Sequence, residues 1–283
     1  MKRTNCAKIN LALNVVKKLP NGYHELDMVN VCVNLKDSVS IKFNKSGKIN
    51  VTSNNETLPT DDKNVVVKVI EKVKDQFKLD FGCDVYINKN IPLNSGLGGG
   101  SGNAAATLKI LNKKFKLNMS QIQLINFIKS ISSDAPFQLV EYPSRVKGIG
   151  DIVKLINSNF HGKVLIVKPF EGNSTEEVFN NLNLETCTHP NINKVEKALM
   201  ENDYSLLGKH VGNSLLNSAV KSCPKINEII DNLKELGFEI VSLSGSGTSV
   251  FAMSKNKKLY KLAKTTFSKE KYELVGVYSI YNF

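Results

Sequence analysis

The chain has 283 residues, of which 41% are hydrophobic, so it can bury one large core or two modest ones without help from metals or disulfides. Its formal net charge of +12 is compatible with nucleic acid, an anionic membrane or small anionic substrates as partners. The lysines are scattered, tryptophan is absent, and no basic block is interleaved with aromatic residues. We therefore expect a small-molecule substrate and no nucleic-acid partner.

The amino-terminal region contains only a short apolar stretch, broken by Asn10 and Asn14, which indicates neither a signal peptide nor a membrane span. Five cysteines form an odd set without a CxxC pair, which argues against a disulfide framework or a structural zinc site. The four histidines show no metal-ligand spacing, and no residue identifies itself as a metal ligand. We expect a cytoplasmic protein with no membrane partner, either a monomer or a weak homodimer.

The first half of the chain opens with predicted strands. Extended runs are predicted at 8–15, 28–35 and 38–43, with a turn at 19–22 and a continuation of the alternating pattern at 49–51. After these come a helix over 64–77, a strand over 83–87, a helix that follows a glycine-rich loop, and a helix over 120–131.

The second half mixes helices and strands again. Strands are predicted at 163–167, 239–243, 250–253 and 273–278, and helices at 191–201, 204–216, 226–236 and 257–267. Because each half mixes both element types, the predicted fold class is α+β with two lobes rather than a doubly wound nucleotide fold. The candidate boundary lies between 150 and 162, which gives an N-terminal lobe at 1–155 and a C-terminal lobe at 156–283.

The strongest chemical signal is a glycine-rich loop that leads directly into a helix. Five glycines in seven positions leave backbone N–H groups accessible, and the amino end of a helix suits a polyphosphate because of its free N–H groups and positive dipole end. A turn that serves only close packing is the alternative, although so many glycines are entropically costly without a ligand or a tight backbone constraint. The candidate phosphate-binding residues are Pro92, Leu93, Asn94, Ser95, Gly96, Leu97, Gly98, Gly99, Gly100, Ser101 and Gly102.

This loop lacks the Gly-Lys-Ser/Thr ending of a Walker A motif and the last glycine of a dinucleotide fingerprint. It resembles the pattern P-x-x-x-G-L-x-(G/S)-S-(S/A) of the GHMP kinases, the family of galacto-, homoserine-, mevalonate- and phosphomevalonate kinases. Pro92, Gly96, Leu97 and the stretch 99–101 agree with it. Gly102 departs from the small hydroxyl residue or alanine that is usual there, so one hydroxyl that could touch phosphate or metal is missing.

Two further segments extend the resemblance. The run 244–251, with Gly245 and Gly247, resembles the family's carboxy-terminal S-G-S-G-P-T-V-F loop, which is thought to pack beside the nucleotide phosphates. Thr248 replaces the usual proline, so we expect a less rigid loop, and read alone this run would be a hairpin. The runs 7–11 and 21–26 resemble the A-K-I-N-L and D-G-Y-H-x-L signatures of the diphosphocytidyl-methylerythritol kinases within the family.

The run 133–137 is similar to the family's (G/S)-x-D-V-P-F segment. From the residues alone, Asp134 two positions before Pro136 is what a helix cap with proline in the first turn looks like. The resemblance implies instead that Asp134 faces the hydroxyl that becomes phosphorylated.

Fainter matches complete the set. Asn64 fits a segment near adenine, and Lys89 fits the basic residue just before the phosphate loop. Thr175 and Phe179 fit an S-T-x-x-V-(F/Y) segment, in which the aromatic ring would help sandwich cytosine with Tyr23. A helix cap and an ordinary core phenylalanine are the alternative interpretations.

The resemblance implies the two-lobe GHMP kinase fold with its active site in the inter-lobe cleft. The implied reaction is ATP-dependent phosphorylation of the 2-hydroxyl of 4-diphosphocytidyl-2-C-methyl-D-erythritol, with Mg²⁺ as the partner of ATP. Asp134 would accept the hydroxyl proton, while Lys8 would hold Asp134 ionised and steady the transferring phosphoryl group. The implied substrate-binding residues are Asn10, Tyr23, His24, Thr175 and Phe179.

Three alternatives stay open. Another GHMP kinase, of the mevalonate or homoserine type, is disfavoured by the G-Y-H element. A catalytically inactive, ligand-binding family member is disfavoured by Lys8 and Asp134, although the departures at Gly102 and Thr248 favour it. A basic nucleic-acid-binding module is the third.

Overall fold

The structure is a computed structural model that describes residues 1–268 and 270–280. Its strands are β1 (Lys2–Lys18), β2 (His24–Asn44), β3 (Ile49–Ser53), β4 (Gly82–Asn88), β5 (Ser144–Gly148), β6 (Ile152–Leu155), β7 (Gly162–Pro169), β8 (Gly212–Asn213), β9 (Ile240–Leu243), β10 (Val250–Met253) and β11 (Tyr272–Ile280). Its helices are α1 (Val65–Phe77), α2 (Gly99–Lys114), α3 (Gln121–Ile128), α4 (Ala135–Val140), α5 (Thr175–Asn180), α6 (Ile192–Met200), α7 (Tyr204–His210), α8 (Leu216–Ser222), α9 (Lys225–Glu235) and α10 (Lys257–Thr266). Across these described residues, no helix is both long and apolar enough to cross a lipid bilayer.

The chain divides into two compact units, each assembled from separate stretches of sequence. The first unit consists of Met1–Ala7, Leu35–Leu93 and Gly98–Glu141, and the second of Lys8–Asn34, Asn94–Leu97 and the chain from Tyr142 onward. The glycine-rich loop therefore contributes residues to both units. The single lobe boundary after residue 155 stays a prediction.

The first unit packs helices on a small mixed sheet. Strand β4 runs antiparallel to the second half of β2, with Val39 opposite Ile87, and parallel to β3. Helix α1 buries the apolar residues that recur at helical spacing, among them Val69 and Val73, both 0% exposed. These side chains join the sheet and α2 in one hydrophobic core, so the helix predicted over 64–77 is confirmed.

The second unit is built on strands in the order β11–β7–β10–β9, all antiparallel. The run 164–167 of β7 is entirely buried, as the continuous apolar sequence predicts for a central strand. The first half of β2 pairs with β5, and β8 lies parallel to β1, with Gly212 opposite Ala12. The predicted α+β fold class is therefore confirmed.

Several elements differ from the sequence prediction. The runs 28–35 and 38–43 belong to one strand, β2, because the carboxylate of Asp37 between them is buried and fully hydrogen-bonded rather than turned out in a loop. The helix predicted over 204–216 is wrong after His210, where the chain extends as β8 before α8 begins. The elements α4, α5, β5 and β6 were not predicted, since each is short and carries little periodic signal.

Three cysteines carry free thiols among the described residues, namely Cys83, Cys187 and Cys223. Burial raises the pKa of Cys83 to about 11.

Candidate active site

The glycine-rich loop enters α2 through a left-handed glycine. Gly98 occupies the N-cap position with φ of 69° and provides no side-chain hydrogen bond to the first turn. Gly100 is exposed, and the nearest atom to a Cβ placed there would be Val65 Cγ2 at 3.9 Å. The start of α2 thus lacks a side-chain cap and is open at Gly100, an arrangement that fits an anionic group such as a polyphosphate.

A buried ion pair lies beneath this turn. A Cβ on Gly99 would be 2.9 Å from Lys89 Nζ, so only glycine lets the helix start approach that ammonium group. The Lys89 side chain is 1% exposed and pairs with Asp37, whose side chain is 0% exposed. Burial lowers the pKa of Lys89 from its usual value, and Asp37 opposes that shift. Lys89, a predicted cofactor-binding residue, therefore supports the turn from below.

Gly102 has a structural partner elsewhere in the chain. A Cβ at this position would lie 2.2 Å from Asn5 Nδ2, so the Asn5 side chain occupies the space that a larger residue 102 would need. Asn5 is 2% exposed, and its Oδ1 accepts a hydrogen bond from Asn103 Nδ2 at 3.0 Å. The departure from the family pattern at 102 is thus matched by Asn5.

Asp134 lies in a segment that is tied to the glycine-rich loop. It occupies the N-cap position of α4 but makes no side-chain capping hydrogen bond, so the carboxylate is not used to cap the helix. On one side of it, Ser132 Oγ lies 2.7 Å from Ser101 Oγ in the first turn of α2. On the other side, Gln138 Nε2 donates to Gly98 O at 3.4 Å. The two contacts with the start of α2 therefore lie on either side of Asp134 in the sequence.

In the second unit, residues 95 and 96 of the glycine-rich loop pack against residues 244–251, the second glycine segment. Gly96 has φ of 73°, and a Cβ there would be 2.1 Å from Ser244 O, a separation that only glycine permits. Ser244 Oγ donates to Gly96 O at 3.0 Å, and Ser249 N donates to Ser95 O at 3.1 Å. The two glycine segments that the sequence singled out are therefore in direct backbone contact.

Strand β1 brings Lys8 and Asn10 next to this contact between the glycine-rich loop and the second glycine segment. Lys8 N donates to Leu97 O at 2.9 Å, and Lys8 Nζ donates to Asn10 Oδ1 at 2.5 Å. A Cβ at Gly245 would lie 3.1 Å from Lys8 Nζ, so glycine at 245 leaves room for the ammonium group. The predicted catalytic lysine, a predicted substrate-binding residue, residues 94–97 of the glycine-rich loop and Gly245 are thus assembled within this unit.

The predicted cytidine-binding residues form an aromatic stack and an exposed ring. His24 and Phe179 stack with ring centroids 5.0 Å apart and an interplanar angle of 29°. Tyr23 is 60% exposed, and the predicted pairing of Tyr23 with Phe179 across a cytosine stays a prediction. Burial lowers the pKa of His24, and the positive charge of Lys18 lowers it further, so the imidazole is neutral at neutral pH.

Side chains of the 173–175 segment hold the second glycine segment. Thr175 Oγ1 lies 2.9 Å from Ser246 Oγ, while the N-cap of α5 is Ser174. Thr248 is 0% exposed, and its Oγ1 donates to Glu171 O at 2.8 Å. The expectation that the loss of proline loosens this segment is therefore offset by a hydrogen bond that proline lacks.

Asn64 is an N-cap residue. Its Oδ1 accepts from Val66 N at 2.9 Å, and its Nδ2 donates to Pro59 O at 2.6 Å. Both polar ends of the side chain are therefore used within its own segment. The predicted role of Asn64 near adenine stays a prediction.

Sequence reasoning missed three buried polar residues that hold the site in place. Asp37 and Asn103 lie beneath the first turn of α2. Asn213 is 2% exposed, and its Nδ2 donates to Leu243 O at 3.0 Å and to Gly245 O at 2.8 Å. Only Asn103 left a signal in the sequence, as a polar residue directly before the run of alanines 104–106, because such a residue must find hydrogen-bond partners when buried.

No carboxylate-rich metal centre accompanies these groups. Within residues 1–268 and 270–280, no cluster of three or more His, Cys, Asp or Glu residues is placed to hold a metal ion.

Comparison with known proteins assigns the family. The models for the GHMP kinases N terminal domain and for the GHMP kinases C terminal match residues 64–141 and 195–273. The 4-diphosphocytidyl-2-C-methyl-D-erythritol kinase of Geobacillus thermodenitrificans is 36% identical over 248 residues, which cover 87% of this chain and 86% of that protein. The chain therefore belongs to the GHMP kinase family, whose members transfer a phosphoryl group from ATP.

Solved structures agree with this fold. A crystal structure of 4-(cytidine 5'-diphospho)-2C-methyl-D-erythritol kinase superposes with a TM-score of 0.82 at 21% identity, covering 100% of both chains. Homoserine kinase from Cytophaga hutchinsonii superposes with a TM-score of 0.75 at 18% identity, covering 100% of this chain and 94% of its own. At these identities the likeness establishes the fold, and the predicted GHMP kinase fold is confirmed.

Proposed function

We propose that the protein is an ATP-dependent kinase that phosphorylates the 2-hydroxyl of 4-diphosphocytidyl-2-C-methyl-D-erythritol. The observation that carries this proposal is the glycine turn at the start of α2, which lacks a side-chain cap and is hydrogen-bonded to the segments on both sides of Asp134. The 36% identical relative from Geobacillus thermodenitrificans is a 4-diphosphocytidyl-2-C-methyl-D-erythritol kinase, which supports the choice of substrate.

The nucleotide is bound mainly by backbone groups. Bound ATP supplies the phosphoryl group that is transferred, and Mg²⁺ neutralises its phosphate charge. The backbone of residues 92–102 surrounds the phosphates, and the N–H groups at the start of α2 donate to them. Gly245 and Gly247 lie beside this backbone, and Lys89 supports the turn from below. Asn64 lies near the adenine.

Substrate activation rests on one carboxylate and one ammonium group. Asp134 accepts the proton of the substrate hydroxyl, and Lys8 contributes positive charge where negative charge develops. Positioning and charge neutralisation are the main requirements of phosphoryl transfer, so this set is sufficient. Asn10 holds the methylerythritol arm, and the residues that bind the cytidine end are Tyr23, His24, Thr175 and Phe179.

The direct test is incubation with ATP, Mg²⁺ and diphosphocytidyl-methylerythritol, followed by phosphorus NMR. The proposal requires a new phosphomonoester signal that depends on all three components. Parallel reactions with mevalonate and homoserine test the other family activities, and phosphorylation of either one in preference to the cytidine substrate would contradict the substrate assignment. The cytoplasmic location and the monomeric or weakly dimeric state stay predictions.

The proposed role of Asp134 has its own test. Asp134→Asn should fold and bind ATP but lose on the order of 10²-fold or more of its turnover, because the amide cannot accept the substrate proton. The matched control is Glu141→Gln at the other end of α4, a carboxylate that pairs with Lys109. Turnover of Asp134→Asn equal to that of Glu141→Gln would end the assignment of Asp134 as the base.

A further inference from the structure

The carboxylate of Asp37, inside strand β2, accepts hydrogen bonds from four donors. Its Oδ1 accepts from the backbone N–H groups of Asn90 and Ile91, both at 2.8 Å. Its Oδ2 accepts from Lys89 Nζ and, at 3.1 Å, from Asn103 Nδ2. The Asp37 side chain is 0% exposed, so all four donors replace water at a fully buried charge.

These donors belong to the two ends of the glycine-rich loop. Lys89, Asn90 and Ile91 form the exit from β4, where the loop begins, and Asn103 lies just after the first turn of α2, where the loop ends. Asn54 adds a second hold on the exit, since its Oδ1 accepts from Lys89 N at 2.6 Å and its Nδ2 donates to Lys89 O at 3.0 Å. One carboxylate therefore ties the start of the loop to its end.

The fit between the two ends is tight. A Cβ on Gly99 would lie 2.9 Å from Lys89 Nζ and 2.9 Å from Ile91 Cγ2, which places the first residue of α2 directly on the strand exit. Lys89 Nζ also lies 3.3 Å from Asn103 Oδ1. A shift of the exit would therefore move the start of α2 as well.

We propose that Asp37 is a positioning residue for nucleotide binding, which acts by holding the N–H groups at the start of α2 in the geometry that the phosphates require. The proposal rests on the proposed function. Asp37 touches neither ATP nor the alcohol and acts only through the exit from β4 and Asn103. The physical basis is preorganisation: a glycine-rich loop loses much conformational freedom when it binds, and a loop whose ends are already fixed loses less.

The first test is Asp37→Asn. The new amide keeps one carbonyl oxygen for the N–H groups of Asn90 and Ile91 but presents an NH₂ group, a donor, to Lys89 and Asn103. We expect KM for ATP to rise by about tenfold, while KM for the diphosphocytidyl alcohol stays within about twofold of the wild-type value. The dissociation constant of ATP, measured by calorimetry without acceptor, should rise by the same factor.

A second pair of variants separates positioning from stability. Asp37→Asn combined with Lys89→Met removes the buried ammonium that the single change leaves without a counter-charge, so the melting temperature should recover towards the wild-type value. The tie to α2 stays broken, and KM for ATP should stay raised. Asn103→Ala cuts the same tie with the ion pair intact and should raise KM for ATP in the same sense.

The outcomes are decisive in either direction. The control is Asp84→Asn. Asp84 is an exposed carboxylate of the same sheet that accepts hydrogen bonds from Asn44 and Asn50, and its substitution should leave both KM values unchanged.

Recovery of KM for ATP together with the melting temperature in the double variant would make Asp37 a stabilising residue only and overturn the proposal. Unchanged ATP affinity in Asn103→Ala would overturn it as well. A wild-type protein that binds ATP but phosphorylates no acceptor would refute the proposed function, while the calorimetric comparison would still decide the role of Asp37.

Discussion

Asn5 explains why glycine stands at position 102, where the family pattern has a small hydroxyl residue or alanine. The space that a side chain at 102 would need contains Asn5 Nδ2, and Asn5 is itself oriented by Asn103. A serine at 102 would restore the residue type that the family pattern favours, but in this chain it would collide with a buried amide. The loss of a hydroxyl at 102 is therefore not by itself a sign of lost activity.

This coupling can be measured as a double-mutant cycle. Gly102→Ser should lower the free energy of unfolding by about 1–3 kcal/mol, the usual cost of overpacking. Asn5→Ala combined with Gly102→Ser should recover at least half of that loss, because the colliding amide is gone. Urea titration of the four proteins gives the coupling energy.

The matched control for this cycle is Gly100→Ser, where the new Cβ would find no atom nearer than 3.9 Å. This variant should stay within about 0.5 kcal/mol of the wild type. A Gly102→Ser protein as stable as Gly100→Ser would show that Asn5 moves aside freely and that no coupling exists.

The proposed role of His24 in binding the cytidine end predicts how substrate binding depends on pH. Its pKa is below the ordinary value of 6.5 because of burial and of the nearby Lys18 charge, so the neutral ring persists to lower pH than in a free histidine. KM for the cytidine substrate, measured at saturating ATP, should be constant from pH 8 to about 6.5 and rise only below that. Steady-state kinetics across this range test the prediction.

Lys18→Met provides the matched variant for His24. Removing that positive charge should raise the pKa of His24, so the increase in KM should begin at a higher pH than in the wild type. His24→Gln, which cannot titrate, should show no such increase. A pH profile of KM that is the same in all three proteins would remove His24 from the binding site.

At the scale of elements, one hydroxyl helps to hold the second glycine segment. Thr248→Val keeps the shape of the side chain but removes the shorter of the two hydrogen bonds to Glu171 O, leaving only Lys168 Nζ at 3.3 Å. We expect a loss of about 1 kcal/mol in the free energy of unfolding. Thr52→Val is the control, because Thr52 is exposed and water can replace its bond to Val85 O. Equal stability of the two variants in urea titrations would mean that the hydroxyl contributes nothing to this segment.

Elements with strong periodicity were predictable from the sequence. Helix α1 and strands β4, β7 and β10 follow the predicted ranges closely, since each has a long or continuous apolar pattern. The glycine segments were also identified, because glycine at positive φ leaves a clear sequence signal, as at Gly96 and Gly98. The family resemblance then supplied the roles that the residues alone do not define.

Tertiary contacts decide the parts that sequence patterns do not. Strand β8 replaces the end of a predicted helix because Asn213 bonds the carbonyls of Leu243 and Gly245, partners that are distant in sequence. Asp37 was overlooked for the same reason, since its donors come from another strand exit and from α2. The Asn5–Gly102 pair likewise cannot be seen in the sequence, because only the folded chain brings these two distant residues together.

At the scale of the whole molecule, ligand binding should raise the free energy of unfolding and the melting temperature. A ligand that binds only the folded protein raises the free energy of unfolding by about 2.7 kcal/mol at 100 times its dissociation constant. Cytidine diphosphate at that concentration should therefore raise the melting temperature by about 5 °C. Differential scanning fluorimetry at several ligand concentrations gives the shift.

Uridine diphosphate is the matched control ligand, because it carries the same charge but lacks the amino group of cytosine. It should give a clearly smaller shift than cytidine diphosphate. Equal shifts would attribute the binding to the diphosphate alone and argue against recognition of the cytosine base.

The contact between Gly96 and the carbonyl of Ser244 also has a consequence for protein engineering. Two turns that are far apart in the sequence meet at the level of the main chain. A bulkier residue or a changed curvature in one turn would therefore need a matching change in the other. A chimera that took the two turns from different family members would have to fit one backbone to the other at this contact.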